Sequence, residues 1–200
     1  MPNLYPAFAR QEVVVHTPEH KRSVAELDDA QLGLVAEAWQ QRRTAEPDGY
    51  LHALVNEGRE AGSSLPHTHS QLVWLPEAPG ETQHPVDREH WSVVLERDEL
   101  VLACPYASRL PYECVIAPAS PRAGAFTDDL LPAALALLGE CVRRIHRAAG
   151  AAPLNAWLHD SGDWHLEVLP RLSILAGVEL GAGWSINALA PEDAARELQA

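Results

Sequence analysis

The sequence is short of positive charge. Fifteen basic residues face 28 acidic ones, a formal net charge of −13, and Lys21 is the single lysine. A chain that negative repels a phosphate backbone, so a nucleic-acid partner is not expected; one phosphorylated small molecule in a local pocket is still allowed. Cysteine is scarce as well. Cys104, Cys114 and Cys141 are odd in number and form no Cys-x-x-Cys pair, which excludes a disulfide framework or a cysteine zinc clamp and leaves buried small hydrophobes. Long apolar runs are missing: the longest, Leu130 to Leu138, falls well short of the ~20 residues that span a bilayer. The start, Met-Pro-Asn-Leu-Tyr, has neither a basic n-region nor an apolar h-region, so no signal peptide is expected. With 12 Gly and 16 Pro in 200 residues, disordered and collagen-like readings also fall away. What remains is a soluble, cytoplasmic, globular chain, 46% apolar and 22% charged. Its arginine excess fits the bias of a GC-rich genome.

The patterning is mixed α and β. Glu12–His16 reads as a strand, and Leu27, Leu32, Val35 and Trp39 recur at helical spacing within a helix from about Val24 to Arg43. Strands follow at Leu51–Asn56 and Ser70–Leu75, on either side of a Gly/Ser-rich loop, Glu57–Pro66. Pro76–Arg88 reads as a mobile loop. Trp91–Glu96 and Leu100–Ala103 flank Arg97-Asp98-Glu99 as a hairpin. Tyr112–Ala117 is a strand. Thr127 is the expected cap of a helix running to about Ala149, with Asp128 and Asp129 at its positive end and Gly150 as its stop. Leu154–Leu158 and Trp164–Leu169 are strands, and Pro191 opens a terminal helix.

The two halves repeat. Val13 and Val115, Asp28-Asp29 and Asp128-Asp129, His52–Asn56 and Asn155–His159, and His69-x-Gln71 and His165-x-Glu167 follow one another in the same order at offsets of 102, 100, 103 and 96. That regularity predicts an internal duplication, with one half in residues 1–88 and the other in 89–200.

Chemistry concentrates in Asn56-Glu-Gly-Arg-Glu-Ala-Gly-Ser-Ser-Leu-Pro-His-Thr-His-Ser-Gln71. On a strand, His67, His69 and Gln71 share one face. Gly58 and Gly62 let a backbone approach a ligand closely, and Ser63 and Ser64 add hydroxyl donors. A neutral imidazole, with its free pKa of about 6.5, is a good nucleophile toward phosphorus near neutral pH. Charge then spreads over the phosphoryl oxygens, which an amide donor such as Gln71 stabilises.

This segment resembles the active-site segment of galactose-1-phosphate uridylyltransferases, a branch of the histidine triad superfamily. The resemblance continues through Pro2-Asn-Leu-Tyr-Pro-Ala-Phe8, Thr17-Pro-Glu-His20, Cys104–Glu113, Trp164–Arg171, Gly177–Gly181 and Ile186-Asn187, nearly the whole chain. It implies an α+β fold of two histidine-triad-like halves, each an antiparallel sheet with packed helices. It also implies a ping-pong cycle in which His69 carries UMP from UDP-glucose to galactose 1-phosphate. Gln71 would bond the phosphoryl group, while Asn56, Gly62, Ser63 and Ser64 would line the nucleotide phosphate site. The partners implied are a UDP-sugar, a sugar 1-phosphate and a second copy of the chain in a homodimer. Rival readings are a relative using adenylylated sugars or dinucleoside polyphosphates, and a non-catalytic nucleotide binder.

Zinc is the cofactor the resemblance brings with it. His20 and His67 match two of its ligands, but the family's cysteine pair has no counterpart, so weak or absent zinc is expected. His159, His165 and Glu167 fall near a second family metal site. The resemblance begins partway into the family pattern, without the first strands of the first half or an early phosphate-contacting arginine, so the first half is expected to be incomplete. Met1 stands where relatives carry an aliphatic residue, as a GTG start in a late-beginning gene model would give; a naturally short relative is the other explanation.

Overall fold

The computed structural model describes residues 1–80 and 87–200. Its centre is one antiparallel sheet of eight strands: β1 (Gln11–Val15), β2 (Tyr50–Glu57), β3 (His69–Leu75), β4 (Ser92–Arg97), β5 (Leu100–Cys104), β6 (Cys114–Pro118), β7 (Leu154–His159) and β8 (His165–Pro170). The order across the sheet is β1-β3-β2-β7-β8-β6-β5-β4. The strands before residue 88 therefore sit together, those after it sit together, and the β2·β7 pairing joins them. Asn3 donates to the Gln11 carbonyl and Val13 to that of Met1 (2.9 and 2.8 Å), so the first residues run along the outer edge of β1. The mixed α+β architecture is the one expected from the sequence.

Alternation along the strands decides which side is covered. Leu51, Ala53 and Val55 of β2, Leu72 of β3, Ile116 of β6, and Leu166 and Val168 of β8 face one way and are buried. Helices α1 (Asp29–Ala45), α2 (Leu131–Ala149) and α4 (Pro191–Gln199) pack over that side, adding Trp39, Leu135, Leu138 and Leu198 to one continuous core. A fully buried tryptophan is worth about 3–5 kcal/mol against alanine, and Trp39 also donates to Ser70 Oγ at 2.8 Å, tying α1 to β3. Among the described residues the opposite side of the sheet carries no helix layer of this kind, and Asn56, His69, Gln71, His159, His165 and Glu167 lie there.

Three element boundaries differ from expectation. The first helix is broken: Ser23 caps a short 3-10 turn at Val24–Glu26, Leu27 is extended, and Asp28 caps α1 afresh by accepting from Gln31 N at 2.7 Å. Two good caps five residues apart compete, and both are used. Thr127 does not cap the second long helix, which begins at Leu131. The Thr127 hydroxyl donates to the Gly124 carbonyl, and Asp128 accepts from the buried indole of Trp164 at 2.8 Å. Its other oxygen accepts from Leu130 N–H at 2.9 Å, so Asp128 serves both the buried indole and the start of the helix, as its two acceptor oxygens allow. The third is a short helix, α3 (Gly177–Ala182), that the pattern did not predict; it buries none of its residues. The β4–β5 hairpin is as expected: Asp98 and Glu99 take φ of 52° and 62°, a type I′ turn that suits strand twist. Part of the stretch read as a mobile loop, residues 81–86, lies outside the described residues. Among the described residues no helix is long and apolar enough to cross a membrane.

Candidate active site

Register builds a row of side chains on the uncovered face. Val13 lies opposite Gln71, Gln71 opposite Leu54, Leu54 opposite Trp157, Trp157 opposite Glu167, and Glu167 opposite Val115. The row reads the same from both ends, valine then Gln or Glu, with Leu54 and Trp157 meeting in the middle. His69 opposite Val15, Asn56 opposite Asn155 and His159 opposite His165 flank it on the same face.

His69 is buried, and its Nδ1 lies 2.8 Å from the carbonyl of His67. A carbonyl can only accept, so Nδ1 carries the proton and Nε2 keeps its lone pair. Nε2 makes no hydrogen bond to a described residue. The backbone has thus set the tautomer that a nucleophile needs.

Gln71 is oriented by a chain of amides. Ala7 N–H donates to Gln11 Oε1 at 2.9 Å, so the Gln11 amide nitrogen points the other way and donates to Gln71 Oε1 at 2.5 Å. That leaves the Gln71 NH2 group free to donate to a ligand. Asn56 is set likewise: Asn155 Nδ2 donates to Asn56 Oδ1 and to the Ala61 carbonyl, each at 2.8 Å, which leaves the Asn56 NH2 free. Gln11 and Asn155 are site residues that motif reading missed. Asn155 appears in the repeat, while Gln11 lies just before the strand expected at Glu12–His16 and carries no signal of its own.

The Gly/Ser loop folds on itself. Gly58 takes φ of 83° with its Cα against Pro153, where a Cβ would sit 2.7 Å from Pro153 Cβ, and Gly62 takes φ of 85°; both demand glycine. Gly62 N–H donates to the Arg59 carbonyl, Ser63 N–H to that of Gly58, and Ser63 Oγ to that of Leu65. Of the hydroxyls expected to face a ligand, that of Ser64 remains free, on the rim of a cavity of about 680 Å³ that also touches Asn56, Gly62 and His67.

His16, at the end of β1, is a further residue the sequence did not single out. Its Nδ1 contacts Thr68 Oγ1 at 2.9 Å and its Nε2 is buried without a partner. Burial pulls its pKa down to about 3, with the neighbouring His69 and His67 adding to the shift.

Two sets of side chains bear on zinc. The rings of His20 and His67 lie 5.5 Å apart, edge to face. His67 Nε2 donates to the Thr17 carbonyl at 2.8 Å, which leaves one nitrogen for a metal. In the second half, His159 Nε2 receives the Trp157 indole N–H at 2.7 Å and lies 2.8 Å from Glu167 Oε2. The His165 ring stacks on His159 at 4.4 Å, and Glu167 is clamped by Arg109. Burial holds the pKa of His159 down at about 3 and lowers that of His165. A structural zinc takes four ligands, and among the described residues no group of three or more His, Cys, Asp or Glu could hold a metal ion. Neither set, as arranged, fits zinc.

One antiparallel sheet thus carries, on its open face, a backbone-anchored histidine two residues from an amide. Known proteins share this architecture. The family model for galactose-1-phosphate uridyl transferase, N-terminal domain, matches residues 5–79. An ADP-glucose phosphorylase from Arabidopsis thaliana is 26% identical over 226 aligned positions, covering 96% of this chain and 64% of its own length. A galactose-1-phosphate uridylyltransferase from Thermotoga maritima is 26% identical over 131, covering 54% of this chain and 41% of its own. The solved structure of a GalT-like protein from Arabidopsis thaliana superposes with a TM-score of 0.89 at 25% identity, covering 100% of this chain and 82% of that one. The chain is a homologue of the GalT-like proteins of the histidine triad superfamily. It spans less than two thirds of the length of either curated relative.

Proposed function

We propose that the chain is a nucleotidyltransferase acting on nucleotide sugars through a covalent nucleotidyl-His69 intermediate. The observation that carries this reading is the His69 anchor, which leaves Nε2 with a lone pair on the face where Gln71 and Asn56 present free amide hydrogens. The Nε2 lone pair attacks the α-phosphorus, a P–N bond forms, and the P–O bond to the sugar phosphate breaks. The sugar 1-phosphate leaves with that electron pair. An acceptor phosphate oxygen then attacks the same phosphorus, the P–N bond breaks, and Nε2 regains its lone pair. The proton stays on Nδ1, donated to the His67 carbonyl throughout, and Gln71 and Asn56 donate to the phosphoryl oxygens in the transition state.

Two donors follow from the relatives. UDP-glucose, with galactose 1-phosphate as acceptor, is the reading taken from the motifs. ADP-glucose is favoured by the relative that aligns over nearly the whole chain. Incubation with each donor carrying a label in the nucleotidyl phosphate tests both: acid-labile label on His69 is expected from one of them, and none from either sinks the reading. A homodimer goes with this proposal, since Ile174, Leu180 and Trp184 are 92%, 73% and 74% exposed around α3, apolar surface that a second copy would cover. Sedimentation at the monomer mass would refute it.

A further inference from the structure

Cations are rare in this chain, and nearly all of them are engaged. Arg10 and Arg42 hold Glu12, Arg88 holds Asp163, Arg109 holds Glu113 and Glu167, Arg122 holds Asp128, and Arg144 holds Glu140. The other arginines likewise meet a carboxylate or a carbonyl, with three exceptions among the described residues: the side chains of Arg22, Arg59 and Arg171 make no hydrogen bond or ion pair. Two of these three, Arg22 and Arg59, line the same cavity, the one that also holds Asn56, Gly62 and Ser64. In a protein of net charge −13, two exposed arginines without an ion pair in the lining of one cavity form a local cationic spot in an otherwise repulsive field.

We propose that Arg22 and Arg59 form a subsite for a phosphate dianion: the phosphate of the group that releases or receives the nucleotidyl unit. It is carried by a sugar 1-phosphate or is free as inorganic phosphate. Guanidinium forks match phosphate oxygens in a bidentate geometry, and the free Ser64 hydroxyl adds a donor. The one carboxyl in the lining, Glu57, is turned away: Oε1 accepts from Val24 N at 2.6 Å, and burial raises its pKa to about 7. It therefore carries little negative charge below neutral pH. That the dianion belongs to the reaction rests on the nucleotidyl-transfer reading; that it binds does not.

The test is calorimetric binding of inorganic phosphate, glucose 1-phosphate and galactose 1-phosphate to the full chain. The variants are Arg59→Ala, Arg22→Ala, the double variant, and Arg147→Ala, which removes one charge from α2. Each single loss in the cavity is expected to weaken binding about 10- to 100-fold, and Arg147→Ala to leave it unchanged. The ligand that binds best identifies the source of the dianion. No binding to the parent, equal binding by the double variant, or an equal loss in Arg147→Ala would overturn the proposal. Label transfer to His69 is measured in parallel, so a parent that binds phosphate but takes no label refutes the catalytic reading and leaves the subsite standing.

Discussion

The corners around His69 and His165 share one skeleton and differ in charge. Both histidines donate Nδ1–H to the carbonyl two residues earlier, His67 at 2.8 Å and Asp163 at 3.1 Å. Both lie beside the row in which Leu54 meets Trp157. In the first corner the neighbours are neutral amides, Gln71 and Asn56, each with free N–H groups. In the second, the matching positions hold Glu167 and His159, and a guanidinium from Arg109 neutralises the carboxylate. A carboxylate faces a phosphoryl group with like charge, whereas an amide donates to it. One substitution per position therefore separates a corner that offers free N–H donors from one whose carboxylate is held by an ion pair.

The largest expected effect comes from removing the proposed nucleophile. His69→Ala should lower nucleotidyl transfer by at least about 10³-fold, while His165→Ala changes it little; similar losses from both would erase the functional difference between the corners. Gln71→Glu copies the second corner's charge into the first. We expect about a 10²- to 10³-fold loss in kcat, and an unchanged rate would mean that the amide is not the discriminating group. In the second corner, Arg109→Ala strands Glu113, whose side chain is 4% exposed. A loss of roughly 2–4 kcal/mol in denaturant unfolding is expected, with none if solvent replaces the guanidinium.

The smallest effect is a pH slope set in the first half. Burial raises the Glu57 pKa from 4.5 to about 7, so the folded state holds a proton that the unfolded state has lost. Stability should fall as pH rises from about 4.5 to 7, by about 2–3 kcal/mol in all, and stay low above that. Glu57→Gln should remove this fall, and a slope identical to the parent's would assign it elsewhere. His16 works in the opposite sense: its lowered pKa withdraws stability as pH drops from 6.5 toward 3.

Much of this arrangement was legible in the sequence. Period-two spacing put His69 and Gln71 on one face, as β3 has them, whereas His67 precedes the strand and turns its ring to the Thr17 carbonyl; strand alternation survives in sequence, the start of a strand less so. Turn chemistry gave the Asp98-Glu99 hairpin. Local signals failed where a distant partner decides. Asp128 reads as a helix-start residue, yet only one of its oxygens serves that end while the other takes the Trp164 indole, and Gln11 lies before the expected strand, yet it sets the orientation of Gln71. The unpaired state of Arg22 and Arg59 is a property of everything around them, so no window of sequence shows it. The same holds for the zinc donors: His159 and Glu167 match by position, but only the fold shows Arg109 and Trp157 engaging them.

The His69 anchor is a main-chain oxygen, and this bears on what mutation can reach. Any residue at position 67 brings a carbonyl, so the tautomer of the nucleophile is insulated from side-chain drift there. The imidazole of His67 can be lost without loosening its neighbour two residues on. Asn or Gln at 67 should leave the Nε2 lone pair of His69 where it is, and with it the reactivity of the site. What the side chain at 67 does and how the ring at 69 is protonated are thus separable traits, open to being gained or discarded independently.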